Sequence, residues 1–256
     1  MVHPTAIVHP GAQIAESAEI GPYAVIGEHV RIGARTTVGP HTVIEGWTEI
    51  GEDNRIFQFA SVGAIPQDLK YHGEKAFLKI GDRNTIREFV TMHLGTEDGG
   101  GETVVGDDSL FMAYAHVAHD CRVGNRVILA NAATLAGHVI IEDQAIIGGL
   151  SAIHQFTRIG GHVMVSGGSI VVQDIPPFTI AQGDRAKTVG LNLVGMKRRG
   201  FSRESINAVK KAYRTMFRAG LRTEEALKQL EEGSAAFPEV KEFTDFIQNS
   251  ERGIAR

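Results

Sequence analysis

Histidine is the side chain best suited to moving protons near neutral pH, and one part of this 256-residue chain concentrates it. Ala115-His116-Val117-Ala118-His119-Asp120-Cys121 is followed by Leu135-Ala136-Gly137-His138 and then by Ile153-His154-Gln155-Phe156. Positions 119, 137 and 155 are separated by eighteen residues each time. If eighteen residues make one coil of a stacked structure, His119, His138 and His154 fall near one ridge, about 4.8 Å apart per coil. Imidazoles on a rigid wall beside the carboxylate of Asp120 suit general acid–base catalysis.

The elements that must position them are written in sixes. An aliphatic residue returns at every sixth position from Val2 through Val8, Ile14 and Ile20 to Val62, and again at Ile80, Ile86 and Met92. After a slip of one residue the apolar position runs from Val105 to Val171. Neither an α-helix nor an ordinary strand has this period, which belongs to a parallel β-helix of hexapeptide repeats. The residue after the aliphatic is often Gly, which would give backbone freedom near a corner. Four residues after the aliphatic the side chain is usually small or β-branched (Ala24, Thr42, Ala60, Ala115, Cys121, Ala133). Three hexapeptides then make one triangular coil, with the aliphatic column inside. Cys121 falls on a small inward position and reads as a core residue.

Two loops interrupt the sixes, near 66–79 and 97–103. The first carries the polar cluster Gln67-Asp68-Leu69-Lys70-Tyr71 and has the length of one full coil; the second is Gly-rich and shifts the register. Loops on a rigid solenoid commonly carry function. The repeat gives way near Pro176-Pro177, so residues 1–190 read as the β-helix and 191–256 as a C-terminal helical domain. There, Ser202 is a plausible N-cap, an apolar stripe runs from Ile206 to Phe217, and Pro238 opens a further helix.

The net charge of −4 gives no general case for nucleic acid. The charge is uneven: residues 1–190 carry 13 basic and 21 acidic side chains, residues 191–256 carry 13 and 9. A basic tail suits an acidic partner. One cysteine excludes an intrachain disulfide and fits a reducing compartment. Met1-Val2-His3-Pro4 leads straight into the repeat, so no export signal is expected, and no apolar stretch is long enough for a transmembrane segment. A cytoplasmic protein is the expectation.

Taken together, His-Val-Ala-His119-Asp120-Cys, Leu-Ala-Gly137-His138, His154-Gln155-Phe156, Gln67-Asp68-Leu69-Lys70-Tyr71, Ile80-Gly-Asp-Arg-Asn-Thr-Ile-Arg-Glu88 and Lys197-Arg198-Arg199-Gly200-Phe201-Ser202 resemble the UDP-N-acetylglucosamine acyltransferase family over nearly the whole chain. The resemblance implies a left-handed β-helix, a homotrimer, and transfer of an (R)-3-hydroxyacyl chain from acyl carrier protein to the 3-hydroxyl of UDP-N-acetylglucosamine, the first step of lipid A synthesis. It implies His119 as general base, oriented by Asp120, and the Gly137 N–H as oxyanion donor. His116, His138, His154 and Gln155 would hold the substrates, while Gln67, Asp68 and Lys70 would reach the sugar and phosphates. Asn192, Arg198 and Arg199 would serve the nucleotide and the carrier protein. Gly167 would set acyl length, a small residue there admitting a longer chain. No metal or cofactor is implied, because a base and an oxyanion donor suffice for acyl transfer.

Two positions depart from the family pattern: Val194 stands where Glu is frequent, and Leu94 where Arg is common, which puts in doubt one nucleotide and one phosphate contact. Two alternatives stay open. One is an N-acyltransferase acting on a 3-amino UDP-sugar; the other is a histidine–zinc enzyme of the β-helix carbonic anhydrase type, for which His93, His116, His119 and His138 supply imidazoles.

Overall fold

A computed structural model describes residues 1–234 and 236–256, and of 231–234 the backbone only. Short parallel strands, mostly of two residues, stack into three sheets of nine, eight and ten strands. In the regular coils a strand pairs with the one eighteen residues on, as Ile7 with Val25 and His116 with Thr134. The chain thus visits three faces in turn and forms a parallel β-helix. Ile26, Ile44, Val62, Met92, Val117 and Leu135 form part of the buried aliphatic column, all at most 1 % exposed. The position four residues later is buried as well: Ala24, Thr42, Ala60, Ala115 and Cys121 fill it. Burial pushes the Cys121 thiol up to about 12, so it is inert core.

The corners are turned differently from the expectation. Most glycines after the aliphatic residues (Gly21, Gly33, Gly39) do not adopt positive φ, Gly63 being an exception; they are small because the next coil passes close by. A Cβ on Gly33 would lie 2.4 Å from the Gly51 carbonyl oxygen. The left-handed conformation falls instead on the third residue after most of the aliphatics, and eighteen non-glycine residues adopt it among those described. Left-handed backbone costs a non-glycine residue about 1–2 kcal/mol. Stacking on the coil above offsets this. One corner carries an aromatic ladder, Tyr23–His41–Phe59–Phe89–Tyr114, with ring centroids 4.8 to 5.3 Å apart. Another carries charges, with Arg35 on Asp53 and Arg83 on Asp108, each at 2.7 Å. The third carries Asp120, His138 and Phe156.

Both loops rise from that third corner. The first lies between the strands Ser61–Ala64 and Phe77–Ile80, the second between Thr91–His93 and Glu102–Val105. Stacked residues are 18 apart in regular coils, 30 apart across the first loop and 25 across the second. The insertions are therefore of twelve and seven residues. The first is two sides of a coil, not the full coil expected, and it preserves the register because twelve is a multiple of six. The second, one more than six, produces the slip.

After the last coil, Thr179–Gln182 pairs antiparallel with Lys187–Leu191. Four helices follow: α1 (Leu193–Arg198), α2 (Arg203–Arg218), α3 (Thr223–Ser234) and α4 (Pro238–Gln248). The sequence pattern did not reveal α1. Ser202 caps α2, its side chain accepting from the Ser205 N–H at 3.0 Å. Phe178, Met196, Val209, Met216, Phe243 and Phe246 form the buried core between the helices and the solenoid. The chain then returns to the last coil, where the Asp174 N–H donates to Gly253 and its carbonyl accepts from Ala255. That tail covers backbone groups that an open end would expose.

Candidate active site

His119 and Asp120 occupy the corner between the strands His116–Val117 and Arg122–Val123. His119 Nδ1 lies 2.8 Å from Asp120 Oδ2. The Asp120 side chain is wholly buried and that of His119 is 13 % exposed. Burial alone pushes the Asp120 carboxyl up, but the bonds it accepts from His119 and Thr96 outweigh this and hold it below the usual carboxylate range. An ionised carboxylate only accepts, so Nδ1 carries a proton, and in the neutral ring it is Nε2 that holds the lone pair. The ring reaches out over Gly137, where a Cβ would stand 2.4 Å from Cε1 and 2.6 Å from Nε2. Only glycine lets the imidazole approach that strand. The Gly137 N–H donates to no acceptor among the described residues.

His138 packs edge-on against His119, with centroids 5.1 Å apart, and lies flat on Phe156 at 4.4 Å. Its Nε2 is 3.7 Å from Asp120 Oδ2. Burial pushes the His138 imidazole down, which favours the neutral ring. His116 stands three residues before His119, on the strand leading into the corner, bonded through Nδ1 to Thr91 Oγ1 at 2.7 Å. Its ring meets buried His93 edge-on at 4.9 Å. Burial lowers His116 and, with His116 beside it, brings His93 down to about 4. His119 is thus backed by imidazoles that resist protonation.

The first loop brings Asp68 to 4.0 Å from His119 Nε2. An Asx turn shapes it, with the Lys70 N–H on Asp68 Oδ1 at 3.0 Å. Gln67 and Lys70 are exposed. A cleft between the two loops is lined by Asp68, Lys70, His72, Glu74, Thr96 and Glu97.

The remaining residues lie elsewhere. The ridge of three histidines is a pair. His154 stacks over position 136, one residue off the His119 column. It is exposed and lies near the Gln155 carbonyl and Arg252; Phe156 takes the place above His138. The Asn192 side chain caps α1, accepting from the Gly195 N–H and donating to the His162 carbonyl. Arg199 is bound to Gln144 through its side chain and its carbonyl, while Arg198 is exposed. Gly167 is exposed above Gly149, whose carbonyl oxygen a Cβ would meet at 3.2 Å. Leu94 is buried in the core and offers nothing to a phosphate; Val194 is exposed on α1.

Sequence reasoning missed Thr96, Thr103 and Gly99, which surround Asp120. Thr103 Oγ1 accepts from the Asp120 N–H at 2.8 Å. Their only signal was proximity to the Gly-rich loop.

His119, Asp120 and His138 each present a ligand-type atom within 4.8 Å of the others. An ion held between His119 Nδ1 and Asp120 Oδ2 would replace the proton they share, so metal binding and base orientation are competing uses of this pair.

A histidine–aspartate pair packed over a glycine at one corner of a hexapeptide β-helix fits a hexapeptide-repeat acyltransferase, and the comparisons with known proteins show that class. Residues 102–137 match the bacterial transferase hexapeptide family model, and residues 174–255 match the second domain of UDP-N-acetylglucosamine O-acyltransferase. The solved UDP-N-acetylglucosamine O-acyltransferase of Moraxella catarrhalis is 46% identical, with a TM-score of 0.97 over 100% of this chain and 99% of that one. The enzyme of Francisella novicida is 40% identical, with a TM-score of 0.98 over 100% and 94% of the two chains. That of Bacteroides fragilis is 44% identical, with a TM-score of 0.96 over the full length of both. The chain belongs to the UDP-N-acetylglucosamine O-acyltransferase family, whose β-helix is left-handed.

Proposed function

We propose that this protein transfers an (R)-3-hydroxyacyl chain from acyl carrier protein to the 3-hydroxyl of UDP-N-acetylglucosamine, in lipid A biosynthesis. The observation that carries the reading is the orientation of His119: Nδ1 is bound to a buried carboxylate, and Nε2 is held over Gly137 with Asp68 facing it.

The chemistry follows from that orientation. His119 Nε2 takes the proton of the sugar hydroxyl while its oxygen forms a bond to the thioester carbonyl carbon. Asp120 stabilises the resulting imidazolium, with which it shares the Nδ1 proton. The carbonyl oxygen gains charge, and the fixed Gly137 N–H is the donor for it. When the intermediate collapses, the carbon–sulfur bond breaks and the imidazolium returns its proton to the leaving thiolate. Asp68 accepts a sugar hydroxyl or amide N–H, and the exposed Lys70 ammonium faces the diphosphate. No step calls for a metal.

The division of labour follows the chain. Residues 1–190 supply the catalytic corner, and residues 191–256, with exposed Arg198, supply a basic surface for the acidic carrier protein. The corner is open to one side in a single chain, and a homotrimer would place a neighbour's face against it. Gly167, on exposed backbone, would then meet the acyl chain of a shared cleft. No helix among the described residues is long and apolar enough to cross a membrane, and the cytoplasm, where acyl carrier protein works, is the expected compartment.

The test is a product assay. Purified protein, UDP-N-acetylglucosamine and a panel of 3-hydroxyacyl carrier proteins are incubated with EDTA and read by mass spectrometry. A mono-O-acylated sugar nucleotide, with one preferred chain length, is expected. Acylation of the 3-amino sugar alone would move the assignment to N-acyl transfer. Product only after zinc is restored would move it to the metal-dependent reading.

A further inference from the structure

The Asp120 carboxylate is gripped by a residue outside the β-helix repeat. The Thr96 N–H donates to Oδ1 at 2.8 Å, and Thr96 Oγ1 lies 2.7 Å from Oδ2. The Gly99 N–H donates to the same Thr96 oxygen at 3.2 Å. A hydroxyl has one proton, and since Gly99 occupies an acceptor side of Oγ1, that proton is directed to Asp120. Thr96 is 4 % exposed, so these bonds are formed away from water. The turn that presents it is closed by the N–H groups of Gly99 and Gly101, both on the Thr96 carbonyl. Gly99 also lies against the carboxylate itself: a Cβ there would stand 2.0 Å from Asp120 Cγ.

We propose that Thr96, on the Gly-rich insertion, is a positioning residue for the reaction. It locks the Asp120 carboxylate so that Oδ2 receives the His119 Nδ1–H and Nε2 stays free to act as base. This inference rests on His119 being the base of the acyl transfer. Oδ2 accepts two hydrogen bonds, one from the Thr96 hydroxyl and one from His119 Nδ1–H, and Oδ1 accepts one from the Thr96 N–H. The carboxylate therefore cannot rotate without breaking a buried hydrogen bond. Without the hydroxyl, the pair retains a hinge about its Cβ–Cγ bond, and the imidazole loses its preference for one tautomer. The second insertion then has a function apart from the first: the first carries a group towards the substrate, the second orients the base from behind.

The experiment uses the full-length protein in its native assembly, with Thr96→Val and Thr96→Ser made alone and in an Asp120→Ala background. Thr96→Val is expected to lower kcat roughly tenfold, by analogy with the lower end of the loss when the hydrogen-bond partner behind a metal-ligating histidine is removed. KM for both substrates should stay within about twofold, and Thr96→Ser should restore kcat. In the Asp120→Ala background Thr96→Val should cost nothing further. An unchanged kcat, a loss of equal size without Asp120, or a failure of serine to rescue would overturn the proposal. Nitrogen-15 NMR of labelled histidine reads the same point without substrate: the Nδ1–H tautomer of His119 should dominate in wild type and Thr96→Ser and be mixed in Thr96→Val. If wild type forms no product with any donor, the acyl-transfer reading fails, and the NMR alone then decides whether Thr96 sets the tautomer. Should Thr96→Val not fold, Gly99→Ala displaces the same carboxylate and must produce the same mixed tautomer; an unmixed spectrum from a folded Gly99→Ala protein would refute the positioning role.

Discussion

His119 and Asp120 are neighbours in sequence, yet His119 Nδ1 and Asp120 Oδ2 are 2.8 Å apart. On a strand, successive side chains point to opposite faces, so this pair would be divided. It meets because Asp120 is the corner residue of its coil, at φ 60°. The left-handed conformation turns its side chain back beside the imidazole, and Thr96 and Thr103 hold it there. The same left-handed corner recurs along the solenoid, at Asp53 and Asp108 among others; at this one it serves the site.

Replacing His119 by Ala should lower kcat by about 10²–10⁴-fold, the usual contribution of a general base. The repeat should remain folded, because His119 lies outside the aliphatic column. Turnover measured beside circular dichroism checks both; loss of the β-sheet signal would assign His119 a structural role.

Gly137→Ala should be nearly as damaging as loss of His119 itself. The new methyl would stand 2.4 Å from His119 Cε1, and the imidazole must leave its place over the strand. A crystal structure of the variant should show the ring displaced and Asp120 still bound to Thr96. Full activity in this variant would show that the imidazole need not sit against that strand; the backbone N–H, which alanine keeps, is not tested by it.

Stability should fall on the acid side of neutrality, in part through His93. Its ring is buried, Nδ1 has no partner, and His116 and His119 face it. Burial first, then those neighbours, lower it to about 4, against about 6.5 in an unfolded chain. A base lowered by folding contributes stability that is complete above about pH 6.5 and is lost as pH falls through about 4. Melting temperatures across that window should therefore drop less for His93→Leu than for wild type. Parallel curves would transfer the effect to other groups, such as His162, which burial also brings to about 4.

Gly167→Met should shift donor preference towards shorter acyl chains. A Cβ there would meet the Gly149 carbonyl oxygen at 3.2 Å, a tight contact that a shift of a few tenths of an ångström relieves. Competition between 3-hydroxyacyl carrier proteins of different lengths provides the measurement. An unchanged length profile would remove Gly167 from the acyl cleft.

The hexad by itself determined the coil, its three faces and the buried column from Ile20 to Val171, because each inward side chain repeats an identical local environment. It also placed His119 in one stack with Gly137, since eighteen residues return the chain to the same corner. Offsets of one residue were beyond its reach: His154 falls beside the His119 column, and Asn192 and Arg199 are engaged by the fold's own groups. Only the tertiary structure decided that both insertions rise from the corner bearing Asp120, and that Thr96 turns back onto its carboxylate. The physical reason is that a periodic pattern specifies backbone stacking, whereas the grip on Asp120 depends on a non-repeating loop closing on itself through Gly99 and Gly101 and on the buried carboxylate that rewards that closure.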